Sequence, residues 1–337
     1  MWRYILRRLA QAVLVIFGVL LLVFVIMQLT GDPASLMLPP DSPAEDIQRV
    51  RIMYGLDRPL YVQFVRFLFG DIGTREAGRT VRTFASGGGW LEVPVKPRGG
   101  VIRGDFGESL RYREQPALGV VLERFPRSLE LMAAAFLYAV LLSLVFGLLC
   151  ALRPATLLDQ GIRVLAILGQ SMPSFWLGLL LILVFAVWLG WLPAMGSGTW
   201  WHLVMPAITL GSLSLARNTR LVRSGMLDVL NEDYVRTARA KGLTERLVVA
   251  KHALKNTAIP LVTLWGLDVG VLFGGAVITE SIFAWPGTGR LVIESVTRRD
   301  FPVVQAAVFF IALIFVLVNL VVDLVYGWLD PRVRVGR

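Results

Sequence analysis

The chain has 337 residues, of which 55% are hydrophobic and only 17% charged, and it carries a formal net charge of +10. Its mean hydropathy of +0.65 exceeds what a soluble domain of this length shows, so the surplus apolar surface must face lipid. The Arg and Lys residues cluster beside apolar runs, which fits retention of cytoplasmic loops and argues against a nucleic-acid partner.

Cys150 is the single cysteine, so no intramolecular disulfide can form. It lies inside an apolar run, as expected of a core or lipid-facing thiol. His202 and His252 are too far apart to suggest a shared metal site, and no resident metal or cofactor is expected.

A bilayer core of about 30 Å takes about 20 apolar residues in helix, and six segments are expected to cross it. The first, Leu9 to Leu29, follows Arg3, Arg7 and Arg8 like a secretory signal. Its apolar run is too long for one, and Thr30-Gly31-Asp32-Pro33 is no small-residue cleavage site, so it reads as a retained anchor. The connection from Gly31 to about Arg127 comes next. Ile47, Val50 and Tyr54, then Leu60, Phe64 and Phe67, recur at helical spacing in it. Its middle, from about Thr74 to Gly100, is rich in Gly and Arg and reads as a mobile loop. Gly70-Asp71-Ile72-Gly73 before that loop is echoed by Gly104-Asp105-Phe106-Gly107 after it.

The second span runs from Leu131 to Leu152, and the third from about Val164 to Leu192 with Pro173 kinking or breaking it. The fourth, roughly Val204 to Leu221, is the least hydrophobic and carries Arg217 and Arg220. The fifth covers Ala258 to Thr279 with Asp268 inside it, and the sixth Val303 to Val322. Arg153 and Arg163 lie between spans two and three, a dense basic loop between four and five, and Arg332, Arg334 and Arg337 follow six. These all fall on one side, which places both termini in the cytoplasm and exports the long first connection.

The segments are therefore 1–30, a cytoplasmic tip and the first span; 31–128, exported, with the Gly/Arg-rich stretch at about 74–103; 129–326, a five-helix core with a cytoplasmic loop at 222–257; and the tail 327–337. The loop reads DYVRTARAKGLTERLVVAKHALKNTAIP from Asp233 to Pro260 and is too charged for lipid. Asp233 is expected to cap a helix, Gly242 to end it, and a second helix from Glu245 to Lys255 to lead back to the membrane. Ala238 and Ala240 are small enough to admit a partner surface. On charge alone the loop equally fits a basic surface resting on anionic lipid.

That loop resembles the cytoplasmic EAA loop of ABC importer permeases, and DYVRTARAKGL followed by KHALKNTAIP is similar to the peptide and nickel branch in particular. The usual Glu is absent, and Arg236, Thr237 and Ala238 stand at those positions. The start of the chain, YGLDRPLYVQF, GDFGESL, ERFPRSLEL, SMPSFWLG, the stretch from Ile278 to Val304 and the terminal DPRVR resemble the same family. The Gly/Arg-rich stretch before GDFG departs from it as an insertion. The resemblance implies an all-α membrane protein with six transmembrane helices in a type I ABC importer permease fold. It also implies a second homologous permease, two ABC ATPase subunits that use ATP and Mg, an exported substrate-binding protein, and a bacterial or archaeal inner membrane.

In that family the segment Asp233, Tyr234, Arg236, Thr237, Ala238, Arg239, Ala240, Lys241 and Gly242 would sit in a groove of an ATPase subunit and couple its closure to the spans. The chain itself would bind no cofactor. It contains no GxxxxGK[ST], HExxH or GxSxG, consistent with a subunit that is not an enzyme. Di- or oligopeptides are the expected cargo, with nickel or another small solute as the alternative. A stand-alone carrier using Asp268 and Asp323 is a rival reading, but it has no need of the cytoplasmic loop. An intramembrane enzyme lacks the required residue constellation.

Gly266, Gly270 and Gly274 recur every fourth residue in span five and offer a helix-packing face. Two readings fit Asp268: a pathway residue meeting a peptide amino group, or a buried partner of an arginine. Gln170 and Ser171, before Pro173, either present carbonyls to the pathway or mark a kink. Arg290, Glu294 and Arg298 are spaced for ion pairs on a helix after Trp285-Pro286-Gly287.

Overall fold

A computed structural model of the chain describes residues 2–29, 32–36, 38, 41–71, 80–85, 89–112 and 115–329. They form helices α1 (Trp2–Leu29), α2 (Pro33–Leu36), α3 (Ala44–Met53) and α4 (Leu60–Phe69), strands β1 (Thr80–Ala85) and β2 (Gly89–Pro94), and then helices α5 to α13. These are α5 (Ala117–Leu152), α6 (Leu157–Ser171), α7 (Ser174–Leu181), α8 (Trp201–Leu230), α9 (Asp233–Ala240), α10 (Glu245–Leu247), α11 (Leu254–Ile282), α12 (Thr288–Thr297) and α13 (Phe301–Leu329).

Four described stretches are long and apolar enough to cross a membrane: Leu6–Leu29, Ala117–Leu152, Pro260–Ile282 and Phe301–Val322. A fifth arises if α6 and the stretch Ser174–Trp188 are one broken span; the two meet at 111° around Pro173. Proline has no amide hydrogen, and its ring disfavours helical geometry in Met172, so the helix stops there. The last stretch, Ile182–Trp188, is π-helical. Helix α8 has 30 residues, enough for about 45 Å, but its arginines keep it off the apolar set.

Three expectations are corrected. The middle of the first connection is not a loop throughout: β1 and β2 pair antiparallel from Thr80 opposite Pro94 to Ala85 opposite Gly89. Val81, Thr83, Phe84, Trp90 and Val93 supply the β-branched and aromatic residues that a hairpin needs, a signal that the Gly and Arg content obscures. The helix after Gly242 is no separate element, because α10 runs through a π-helical stretch, Val248–Ala253, directly into α11. The residue before α9 is Glu232, with no side-chain cap bond, and Asp233 lies in the first turn, where its charge favours the helix N-terminus.

The chain divides into two compact units. One comprises Trp2–Phe125 and Leu291–Ile314. Its core gathers Phe67, Phe106, Val120, Val121, Leu291, Val303 and Ala306. The Gly-Asp echo has a structural use here. Asp71 accepts from the Arg98 amide at 2.5 Å and Asp105 from the adjacent Gly99 amide at 2.6 Å, so the two repeats grip consecutive peptide groups. Asp71 also pairs with the buried Arg66 at 2.6 Å. Gly70, at φ +71°, passes so close to this segment that a Cβ would lie 2.4 Å from the Arg98 carbonyl oxygen. No L side chain fits there.

The other unit comprises Pro126–Arg290 and Phe315–Arg337. Leu131, Met132, Ala135, Leu210, Leu272, Ala276 and Trp285 pack in one cluster, and Ala151, Val222, Met226, Ala253 and Leu261 in another.

Candidate functional site

Helix α9 and the rod formed by α10 and the first turns of α11 make a hairpin closed by Gly242, whose φ of +80° only glycine adopts freely. Val235 and Ala238, three apart, fall on one face and are buried against Val248, with Val229, Leu230 and Leu243 around them. Across the turn, Arg239 donates to Glu245 from Nε at 3.1 Å and Nη2 at 2.7 Å. This bond raises the Arg239 pKa and lowers that of the Glu245 carboxyl. Asn256 Nδ2 donates to the Tyr234 hydroxyl at 2.7 Å, fixing the start of α9 to α11.

The opposite face is open: Asp233, Tyr234, Arg236, Thr237, Ala240 and Lys241 are exposed. Ala238 is not on it. The expectation that Ala238 admits a partner is corrected, because its methyl fills the hairpin's own core, and Ala240 is the small residue on the open face.

Near this hairpin in sequence, α8 is tied to α6. Thr156 caps α6 by accepting from the Asp159 amide at 3.3 Å, while Asp159 Oδ2 accepts from the Ala155 amide at 3.1 Å. The same carboxylate, with 0% exposure, receives Arg223 Nε at 2.8 Å and Nη2 at 2.9 Å, the two-pronged geometry that makes such pairs strong. Sequence reasoning passed over both partners. The Thr-x-x-Asp spacing ahead of an apolar run was the available signal for Asp159.

Asp268 has 1% exposure and accepts from Arg217 Nη2 and, at 2.7 Å, from Asn218 Nδ2. Of the two readings, this geometry is that of the arginine partner. Gln170 and Ser171 are exposed at the last turn of α6, before the break. A Cβ on Gly266 would lie 2.4 Å from Val322 and one on Gly270 3.0 Å from Phe315, so those two glycines face α13, whereas Gly274 has nothing within 4 Å. Asp323 lies where the backbone alone is described.

A further carboxylate escaped the sequence reading. Glu280, with 0% exposure, accepts from Ser128 Oγ at 2.6 Å and from the Arg290 amide at 3.0 Å. It thereby closes the N-terminus of α12, where unpaired amides favour an anion. Trp285 Nε1 donates to the Arg127 carbonyl at 2.8 Å, and Gly287 leaves room for the carboxylate, since a Cβ there would lie 2.3 Å from it. Arg290 therefore serves this turn through its amide and through Nη1, which donates to the Ala284 carbonyl at 2.5 Å. Among the described residues no group of three or more His, Cys, Asp or Glu is arranged to hold a metal.

Comparison with known proteins agrees with this architecture. Residues 1–86 match the family described as "Binding-prot-dependent transport system membrane comp, N-term". The chain is 38% identical over 335 residues to the glutathione transport system permease protein GsiC of Escherichia coli (strain K12), covering 99% of both chains. It is 37% identical over 342 residues to the oligopeptide transport system permease protein AppB of Bacillus subtilis (strain 168), covering 98% of this chain and 99% of that one. In structure it resembles a chain of the MetNI methionine ABC transporter in inward facing conformations, with a TM-score of 0.51, 16% identity, and coverage of 63% of this chain and 96% of that one; at that identity the likeness is one of fold. Residues 143–335 match the description "Binding-protein-dependent transport system inner membrane component". The chain belongs to that family: it is a multi-pass, non-catalytic permease subunit of an ABC transporter, working with an ATPase and a binding protein.

Proposed function

We propose that the chain forms half of the translocation pathway of a peptide importer, with six spans and both termini in the cytoplasm. Helix α8 is the sixth span: it is long enough to cross, and two of its arginines, Arg217 and Arg223, are carried by carboxylates in the chain rather than by lipid. Residues 31–128 lie outside the cell and 222–257 inside.

The observation that carries this reading is the closed hairpin with one polar face open. Asp233, Tyr234, Arg236, Thr237, Ala240 and Lys241 meet the ATPase subunit, Arg239 and Gly242 hold the turn, and Ala238 stiffens it from within. A helix that is to move spans as a rigid body needs that internal packing. Peptides are preferred to nickel because the two relatives above are named for glutathione and oligopeptide transport, and glutathione is itself a tripeptide.

The test is purification of the tagged chain from its native host, followed by uptake measurements with radiolabelled glutathione and Ala-Ala in proteoliposomes. An ATPase and a second permease should co-purify, and uptake should require ATP inside and binding protein outside. Solute carried by the isolated chain without ATP would overturn the proposal.

A further inference from the structure

Polar atoms without a hydrogen-bond partner are concentrated on one pair of helices. Among the described residues, Thr209 Oγ1, Ser214 Oγ, Arg217 Nε and Asn218 Oδ1 on α8, and Trp265 Nε1 on α11, are buried and unpartnered. Thr209, Ser214 and Asn218 are at most 1% exposed. Unpaired polar groups are costly at membrane depth unless water or a solute meets them.

Arg217 stands at the centre of this stretch. It lies 16 residues into α8, about 24 Å from the helix start, in the last turns of the span and close to the cytoplasmic segment that begins at 222. An arginine within a span faces the bundle interior or a water-filled path rather than lipid. Its guanidinium is bound to Asp268 through Nη2, yet the side chain keeps 34% exposure and its Nε is unused. Lipid is a poor neighbour for that exposed part. Asn218, beside it, gives its amide hydrogen to the same carboxylate and leaves its Oδ1 free as an acceptor.

We propose that Arg217 receives the terminal carboxylate of a peptide in transit, with Asp268 as the internal carboxylate that occupies the guanidinium between passages. The planar fork of arginine matches a carboxylate through two parallel hydrogen bonds, which an ammonium cannot reproduce. Binding is then an exchange of one carboxylate for another: the guanidinium is never left bare, Asp268 keeps only the bond from Asn218, and the cost of that unpaired carboxylate holds the peptide weakly enough to leave. This rests on the peptide-importer reading and adds to it a recognition point near the cytoplasmic end of the pathway.

The experiment uses the complete complex in proteoliposomes, with binding protein and radiolabelled glutathione or Ala-Ala, and compares wild type, R217Q, R217K, D268N and R217Q/D268N. R217Q should lose about tenfold or more of the uptake rate, and R217K, a charge without the fork, an intermediate amount with a raised half-saturating concentration. D268N removes the competitor and should lower the half-saturating concentration and the maximal rate together. The neutral double variant should stay as inactive as R217Q. Recovery of uptake in the double variant would show that the pair only balances charge inside the chain, and would overturn the proposal. R217K indistinguishable from wild type would overturn it as well, whether or not the double variant assembles. If the wild-type complex imports neither peptide but moves another solute, the peptide reading fails first and this inference falls with it.

Discussion

Enlarging Ala238 tests whether its methyl belongs to the hairpin core or to a partner surface. Ala238 is 6% exposed, and Val235 and Val248, which it packs against, are both at 0%. Ala238→Leu forces three further carbons into that contact, an overpacking cost of about 1–3 kcal/mol. Val248→Ala alone removes two carbons, worth about 1.6 kcal/mol of transfer free energy before any cavity term. Combined, the vacated space should take the leucine, and the double variant should be more stable than the sum of the singles by about 1 kcal/mol or more. Limited trypsin digestion of the purified chain reads this directly, because Arg236, Arg239 and Lys241 are exposed cleavage sites within the hairpin. Each kcal/mol of lost stability should speed cleavage about fivefold. Ala240→Leu, on the open face, should leave cleavage unchanged and weaken recovery of the ATPase. If Ala238→Leu were cut at the wild-type rate while losing the ATPase, or if Val248→Ala gave no relief, the assignment of Ala238 to the interior would be refuted.

Three other outcomes follow. Asp159→Asn leaves Arg223 opposite a neutral amide; breaking a buried pair costs about 3–5 kcal/mol, and the 23% exposure of Arg223 puts the loss near 3. A melting temperature of the solubilised complex within a degree of wild type would refute this. Gly147→Ala would place a Cβ 2.4 Å from that of Val222; α5 and α8 must separate, at about 1–3 kcal/mol, and Val222→Gly, which removes that Cβ where Val222→Ala would keep it, should restore part of the melting temperature lost. Glu245→Gln addresses an exposed pair, with side chains 41% and 56% exposed, so it should alter hairpin proteolysis by under about 1 kcal/mol, and less at high salt. Because Arg239 lowers the Glu245 pKa from its ordinary 4.5, that small contribution is fully present above 4.5 and is lost as pH falls through the folded value. A wild-type hairpin that became more resistant on acidification would contradict the sign.

Much of the architecture was legible in the linear pattern. Apolar runs located α1, α5, α11 and α13, because length and lack of charge are local properties. Pro173 marked the break between α6 and α7 for an equally local reason, and Gly242 marked the hairpin turn. The strands were missed: two six-residue segments among Gly and Arg carry little period-two signal, and their pairing is not a local property. At the candidate site, helical periodicity already put Val235 and Ala238 on one face, but which face turned inward depended on Val248, ten residues beyond Ala238.

Composition and spacing alone determined that this is a membrane-embedded helical chain with a polar hairpin between two of its spans, since hydropathy and turn chemistry act over a few residues at a time. Only the tertiary structure decided the partners of its charges. Asp159 found Arg223 64 residues away, Asp268 found Arg217 51 residues back, and Glu280 found Ser128 152 residues back. A buried charge must be paired wherever the fold brings a partner within about 3 Å, and helix spacing within one segment carries no information about which distant segment that will be.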